Sequence, residues 1–124
     1  RCEMVRKIQP DCVLSIHQNS YPEEAIHGAQ VFYYEDSSEG KKLAEILQKH
    51  LVEVLDKENH RQAKGNRTYY MLKKTEATLV IVECGFLSNN QEALLLTDEK
   101  YQNKVAKAIC SGTLEYLSSL VEKK

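Results

Sequence analysis

Two short stretches carry residues that do chemistry. "VLSIHQNSYP" (13–22) sets His17 and Asn19 directly after an apolar run, and "TLVIVECGFLSN" (78–89) does the same with Glu83. A neutral imidazole is a common zinc ligand, and a carboxylate near an acidified water is a natural general base. The plainer alternative is that both residues cap the ends of core strands. Spacing alone leaves the two readings level.

The remaining polar candidates have similarly double readings. Arg61, Lys64 and Arg67 form a basic run able to hold an anionic glycan or a peptide carboxylate bidentately, with Arg61 the favoured substrate contact. The same run also reads as a solvated loop. Tyr69 and Tyr70 could stack on a sugar or fill a core. His27 stands in a loop, His50 on a helix beside apolar positions and His60 in a polar segment, where solvent or packing at the core edge explains each. Cys84 adjoins Glu83, but no histidine is placed in sequence to activate it, so it reads as a buried thiol.

The elements that must position these residues follow from periodicity. A helix holding Cys2, Val5 and Ile8 stops at Pro10, and the opening on arginine without a leader pattern suggests a chain cut from something longer. A strand over 12–16 leads to His17, and a second over 29–34 is rich in aromatic and β-branched residues. "EDSSEG" supplies Asp and Ser at the start of a helix whose Leu43, Leu47, Leu51, Val54 and Leu55 share one face. Residues 56–67 have no apolar period and two turn signals, which predicts a mobile loop. "TYYMLKKT" (68–75) reads as a short strand or a helical turn. The run at 78–86 is the most apolar of the chain, implying a strand covered on both faces. A short helix over 89–97 and a long one over about 99–120 close the sequence, the latter with Tyr101, Val105, Ile109, Gly112, Tyr116 and Leu120 aligned.

Strands alternating with helices, with no repeat or linker between them, predict one α/β domain with a largely parallel twisted central sheet flanked by helices. The 124 residues, 42% of them hydrophobic, suffice for one real core. A net charge of -1 supplies no basic footprint, which argues against a nucleic-acid surface. No apolar run reaches the ~18 residues of a membrane span. The four cysteines (Cys2, Cys12, Cys84, Cys110) show no metal-binding pair and no disulfide framework, and the redox compartment stays open.

"SIHQN", "GAQVFYY", "VECGFLSN", the acidic Glu92 and "YQNKVAKAICSGTLEYL", in that order, resemble the zinc-dependent N-acetylmuramoyl-L-alanine amidases of the type 3 family, and within it the germination-specific, cortex-lytic amidases of spore formers. The resemblance runs from about Asp11 to Leu117. It implies a hydrolase that cleaves the amide between the N-acetylmuramoyl lactyl group and the L-alanine of the peptidoglycan stem peptide. His17 matches the family's second zinc-ligand histidine, Glu83 its catalytic glutamate, and Asn19 a residue lining the site. The family's first histidine and its glutamate ligand have no counterpart in residues 1–124 and are expected upstream of Arg1, along with the first strands and helix. On this expectation residues 1–124 are the C-terminal major part of one catalytic domain and inactive alone. The implied location is extracytoplasmic, at the cell wall or spore cortex. The implied partners are peptidoglycan and either a protein or a second copy of the chain. Two rivals stay open: a non-catalytic glycan- or protein-binding module, and a zinc carboxypeptidase or deacylase on a related sheet.

Overall fold

The computed structural model describes residues 2–68 and 76–122. Helix α1 (Cys2–Ile8) leads into strand β1 (Val13–Asn19), followed by β2 (Gln30–Tyr34), helix α2 (Ser38–Leu55) and the short strand β3 (Lys64–Asn66). Strand β4 (Leu79–Phe86), helix α3 (Asn90–Thr97) and helix α4 (Glu99–Glu122) complete the order. The stretch from Tyr69 to Thr75, including the two candidate stacking tyrosines, lies outside the described residues.

The sheet order is β1-β4-β2-β3. β4 pairs in parallel with β1 and antiparallel with β2, and β2 pairs in parallel with β3. The sheet is therefore mostly parallel, with one reversal that apolar patterning does not predict. β4 is buried along its whole length, as its continuous apolar run requires. Its Val80, Val82 and Cys84 join Val31, Leu43, Leu47, Leu51, Val105, Ala108 and Tyr116 in the main core, beneath α2 and α4. Its Leu79 and Ile81 meet Val13, Phe32 and Tyr34 on the opposite face.

The two long helices approach closely because α4 puts Gly112 against α2. A Cβ at that position would stand 2.8 Å from Leu47 Cδ2. Ser37 caps α2 by accepting from the Gly40 N–H, as the sequence suggests.

Two expectations are corrected. His17 does not end its strand: β1 continues to Asn19, and a β-bulge lies between, so that His17 faces Glu83 while Asn19 faces Phe86. The segment over 56–67 is not a free loop. Asn59 donates through Nδ2 to the Ala29 carbonyl (3.0 Å), and its Oδ1 accepts from the Arg61 N–H (3.0 Å). Arg61 Nε donates to the His27 carbonyl at 2.9 Å, and β3 then adds to the sheet. These side-chain anchors replace the missing apolar period.

Candidate active site

In open α/β sheets ligands gather beyond the carboxyl ends of parallel strands. β1 and β4 end together, and His17 and Glu83 are direct partners across that pairing. On the other side of β4 the partner of Glu83 is Gln30. His17, Glu83 and Gln30 thus form one row across three adjacent strands. The strand reversal matters here, because it brings the beginning of β2 to the ends of β1 and β4.

Glu83 is only 7% exposed, and its Oε2 is buried with no hydrogen-bond partner among the described residues. Such an atom costs free energy unless something else satisfies it. Burial pushes the carboxyl upward from its ordinary range, and the neighbouring His17 pulls it partly back.

His17 is exposed, and its Nε2 lies 2.7 Å from the Ser15 hydroxyl, two residues earlier on the same strand face. A hydrogen bond to one ring nitrogen fixes the ring and leaves Nδ1 to a metal. Sequence reasoning missed Ser15. The period of two in a strand is the signal that could have found it, since residues 15 and 17 must share a face.

The bulge brings Phe86 into line with Asn19, and the Arg61 guanidinium carbon sits 5.1 Å from the centre of the Phe86 ring. Arg61 Nη1 donates to Gln30 Oε1 (3.0 Å), while Gln30 Nε2 donates to the Gln62 carbonyl (2.9 Å). Arg61 is therefore linked to the row through Gln30, although two of its N–H groups already hold the loop. The Asn19 side chain accepts from the N–H of Ser20 at 2.8 Å.

The other candidates fall elsewhere. Arg67 forms a fork with exposed Glu35 and Asp36 on the far edge of the sheet. His50 bonds to Glu115 at 2.9 Å, between α2 and α4. His60 is exposed and lines an open groove of about 500 Å³ with Glu45, Lys49 and Glu53. The side chain of His27 is exposed, beside a smaller cavity that includes Asp56 and Tyr101. Cys84 points into the core, where burial and the Glu83 charge push its thiol up to about 11, too high for a nucleophile at neutral pH.

A zinc ion, as the resemblance implies, fits part of this donor set. The imidazole with one committed nitrogen suits a ligand, and the buried unpaired oxygen of Glu83 suits a base turned toward a polar reactant. Three protein ligands are the rule for catalytic zinc, and no cluster of three or more His, Cys, Asp or Glu stands among the described residues.

Comparison with known proteins agrees with the geometry. A family model described as N-acetylmuramoyl-L-alanine amidase matches residues 1–115. The germination-specific N-acetylmuramoyl-L-alanine amidase of Bacillus subtilis (strain 168) is 36% identical over 118 residues, 95% of this chain and 49% of that protein. The structure of the CwlD amidase from Clostridioides difficile, in complex with the GerS lipoprotein, superposes with a TM-score of 0.91 at 41% identity, covering 94% of this chain and 59% of that one. An N-acetylmuramoyl-L-alanine amidase from Clostridium difficile 630 superposes at 0.87 with 27% identity, over 95% and 63% of the two chains. The chain thus spans about half the length of the first of these relatives. By sequence match and by fold, it belongs to the N-acetylmuramoyl-L-alanine amidase family.

Proposed function

We propose that the protein hydrolyses the amide between the lactyl group of N-acetylmuramic acid and L-alanine in peptidoglycan, with residues 1–124 forming the C-terminal major part of its catalytic domain. The observation that carries this reading is the register pair of His17 and Glu83 at the ends of parallel strands, with Glu83 Oε2 buried and unpaired. Zinc held here supplies Lewis acidity, which polarises a carbonyl and lowers the pKa of water. His17 would be one ligand of the ion while Ser15 steadies the ring. The other ligands would come from outside residues 1–124. Glu83 takes a proton from the attacking water and returns it to the leaving amine nitrogen.

Asn19 and Arg61 line the two flanks of the row, Arg61 facing an anionic or carbonyl group of the stem peptide. The substrate places the activity outside the cytoplasm, in wall or spore cortex. Among the described residues no helix is long and apolar enough to cross a membrane. The solved complex of a similar amidase with a lipoprotein supports a protein partner here as well.

The test is metal content and turnover of purified muropeptides for His17→Ala and Glu83→Gln in the complete protein. His17→Ala loses zinc and activity together. Glu83→Gln keeps zinc and loses activity by about 10²- to 10⁴-fold, the usual effect of a positioned base. Zinc loss in Glu83→Gln would make that residue a ligand. Intact activity in both variants would remove His17 and Glu83 from the mechanism, no turnover by the unmodified complete protein would leave a binding module, and products without a free L-alanine amino end would indicate a carboxypeptidase or deacylase.

A further inference from the structure

The irregular segment between β1 and β2, besides its bonds to Asn59 and Arg61, is tied to the start of α3. The Tyr21 N–H donates to Ser88 Oγ at 3.0 Å, and Asn89 Nδ2 donates to the Glu24 carbonyl at 2.9 Å. The Gly28 N–H donates to both carboxylate oxygens of Glu92, each at 3.0 Å. Glu92 Oε1 also accepts from the Phe86 N–H at 2.7 Å.

Glu92 occupies the third position of a helix capped by Asn89, whose Oδ1 accepts the Glu92 N–H. In a capping box its carboxylate would return to the cap residue. Here it turns away and is buried, serving two other segments. Hydrogen bonds to an ionised carboxylate are among the stronger ones.

The two segments are those that hold the ends of the row. Phe86 follows Glu83 across the bulge, and Gly28 precedes Gln30 at the entry to β2. Two glycines make room for the arrangement. A Cβ on Gly85 would stand 2.9 Å from the Glu92 carboxyl carbon. Gly28 has φ of +107°, a conformation costly for other residues, and a Cβ there would stand 3.0 Å from Asn59 Oδ1.

We propose that Glu92 is a positioning residue of the active site: its buried carboxylate clasps the bulged end of β4 to the entry of β2 and thereby fixes the Glu83 carboxylate against His17. The proposal rests on the reading of Glu83 as the base. It gives the acidic residue after "GFLSN" a function distinct from that of Glu83, since it touches neither His17 nor a reacting atom.

The experiment compares Glu92→Gln and Gly85→Ala in the complete, metal-loaded protein. The first sets an amide N–H₂ against backbone donors. The second adds a methyl where the carboxylate lies. Three quantities are measured: hydrogen exchange of the Gly28 and Phe86 amides, zinc content, and kcat and KM on purified muropeptides.

Exchange at both amides should rise about tenfold or more, as expected when local protection is lost. The loss of kcat should be about 10- to 100-fold, the range for slight misplacement of a reacting group, with KM nearly unchanged and zinc retained. In a Glu83→Gln background, Glu92→Gln should cause no further loss, because the group it positions is already gone. Faster exchange with unchanged kcat would overturn the proposal and leave a purely structural clasp. An additive loss on top of Glu83→Gln would also overturn it. If Glu92→Gln fails to fold, Gly85→Ala decides alone by the same criteria. Full activity of Glu83→Gln would remove the base assignment and the positioning role with it. That failure is separable from the first, since amide exchange reports the clasp without reference to activity.

Discussion

At the scale of single residues, a side chain suited to catalysis is poorly suited to folding. Glu83 carries a charge and an unpaired oxygen into a place only 7% exposed. An unsatisfied buried polar group costs about 1–3 kcal/mol, more when charged. Without added metal, Glu83→Gln should therefore raise the stability of the chain at neutral pH by roughly 1 kcal/mol, by removing the charge. Chemical denaturation of the two chains checks this, and a lower midpoint for Glu83→Gln would mean that the carboxylate is better satisfied than its surroundings indicate. His17 and Glu83 were legible in the sequence because each polar residue interrupts or follows an apolar run. Ser15 and Gln30 are not legible there, since a serine and a glutamine in strands look like ordinary polar positions. Their placement beside His17 and Glu83 comes from strand alternation and pairing.

At the scale of elements, the helices and the main strands follow from hydrophobic period and capping, and they appear close to where periodicity puts them. What sequence reading misjudged were features that depend on distant partners. The 56–67 segment looked free because its anchors, Asn59 and Arg61, bond to backbone carbonyls far away in the chain. The bulge in β4 lies within a continuous apolar run, where period-two alternation gives no sign of an extra residue. The contact between α2 and α4 supports a prediction of its own. Gly112→Ala improves intrinsic helix propensity by about 1 kcal/mol. It also places a methyl 2.8 Å from Leu47 Cδ2, and Leu47 is completely buried, so the side chain has little space to retreat. Overpacking of this kind costs about 1–3 kcal/mol. The variant should therefore be less stable despite its better helix former, as a lowered thermal midpoint would show.

At the scale of the whole molecule, one flank of the sheet is open among the described residues: β1 pairs there only with β4. On β1, Ile16 is 56% exposed beside a cavity of about 240 Å³ lined with Leu96, Val105 and Ile109. Unpaired strand edges next to apolar surface invite association. Residues 1–124 alone should self-associate at high concentration, and Ile16→Lys should reduce this. Sedimentation velocity would show it, and a stable monomer for the unmodified chain would count against an open edge. The order of the strands has a further consequence, for timing. β4 lies between β1 and β2 in space but emerges after both during synthesis, so the earlier two strands must wait for their common neighbour. A growing chain can carry a finished histidine strand and a finished β2 and still have no row. Pairing between segments so distant in sequence is slow to form. The row of His17, Glu83 and Gln30 therefore assembles only once β4, the last made of its three strands, has joined the other two.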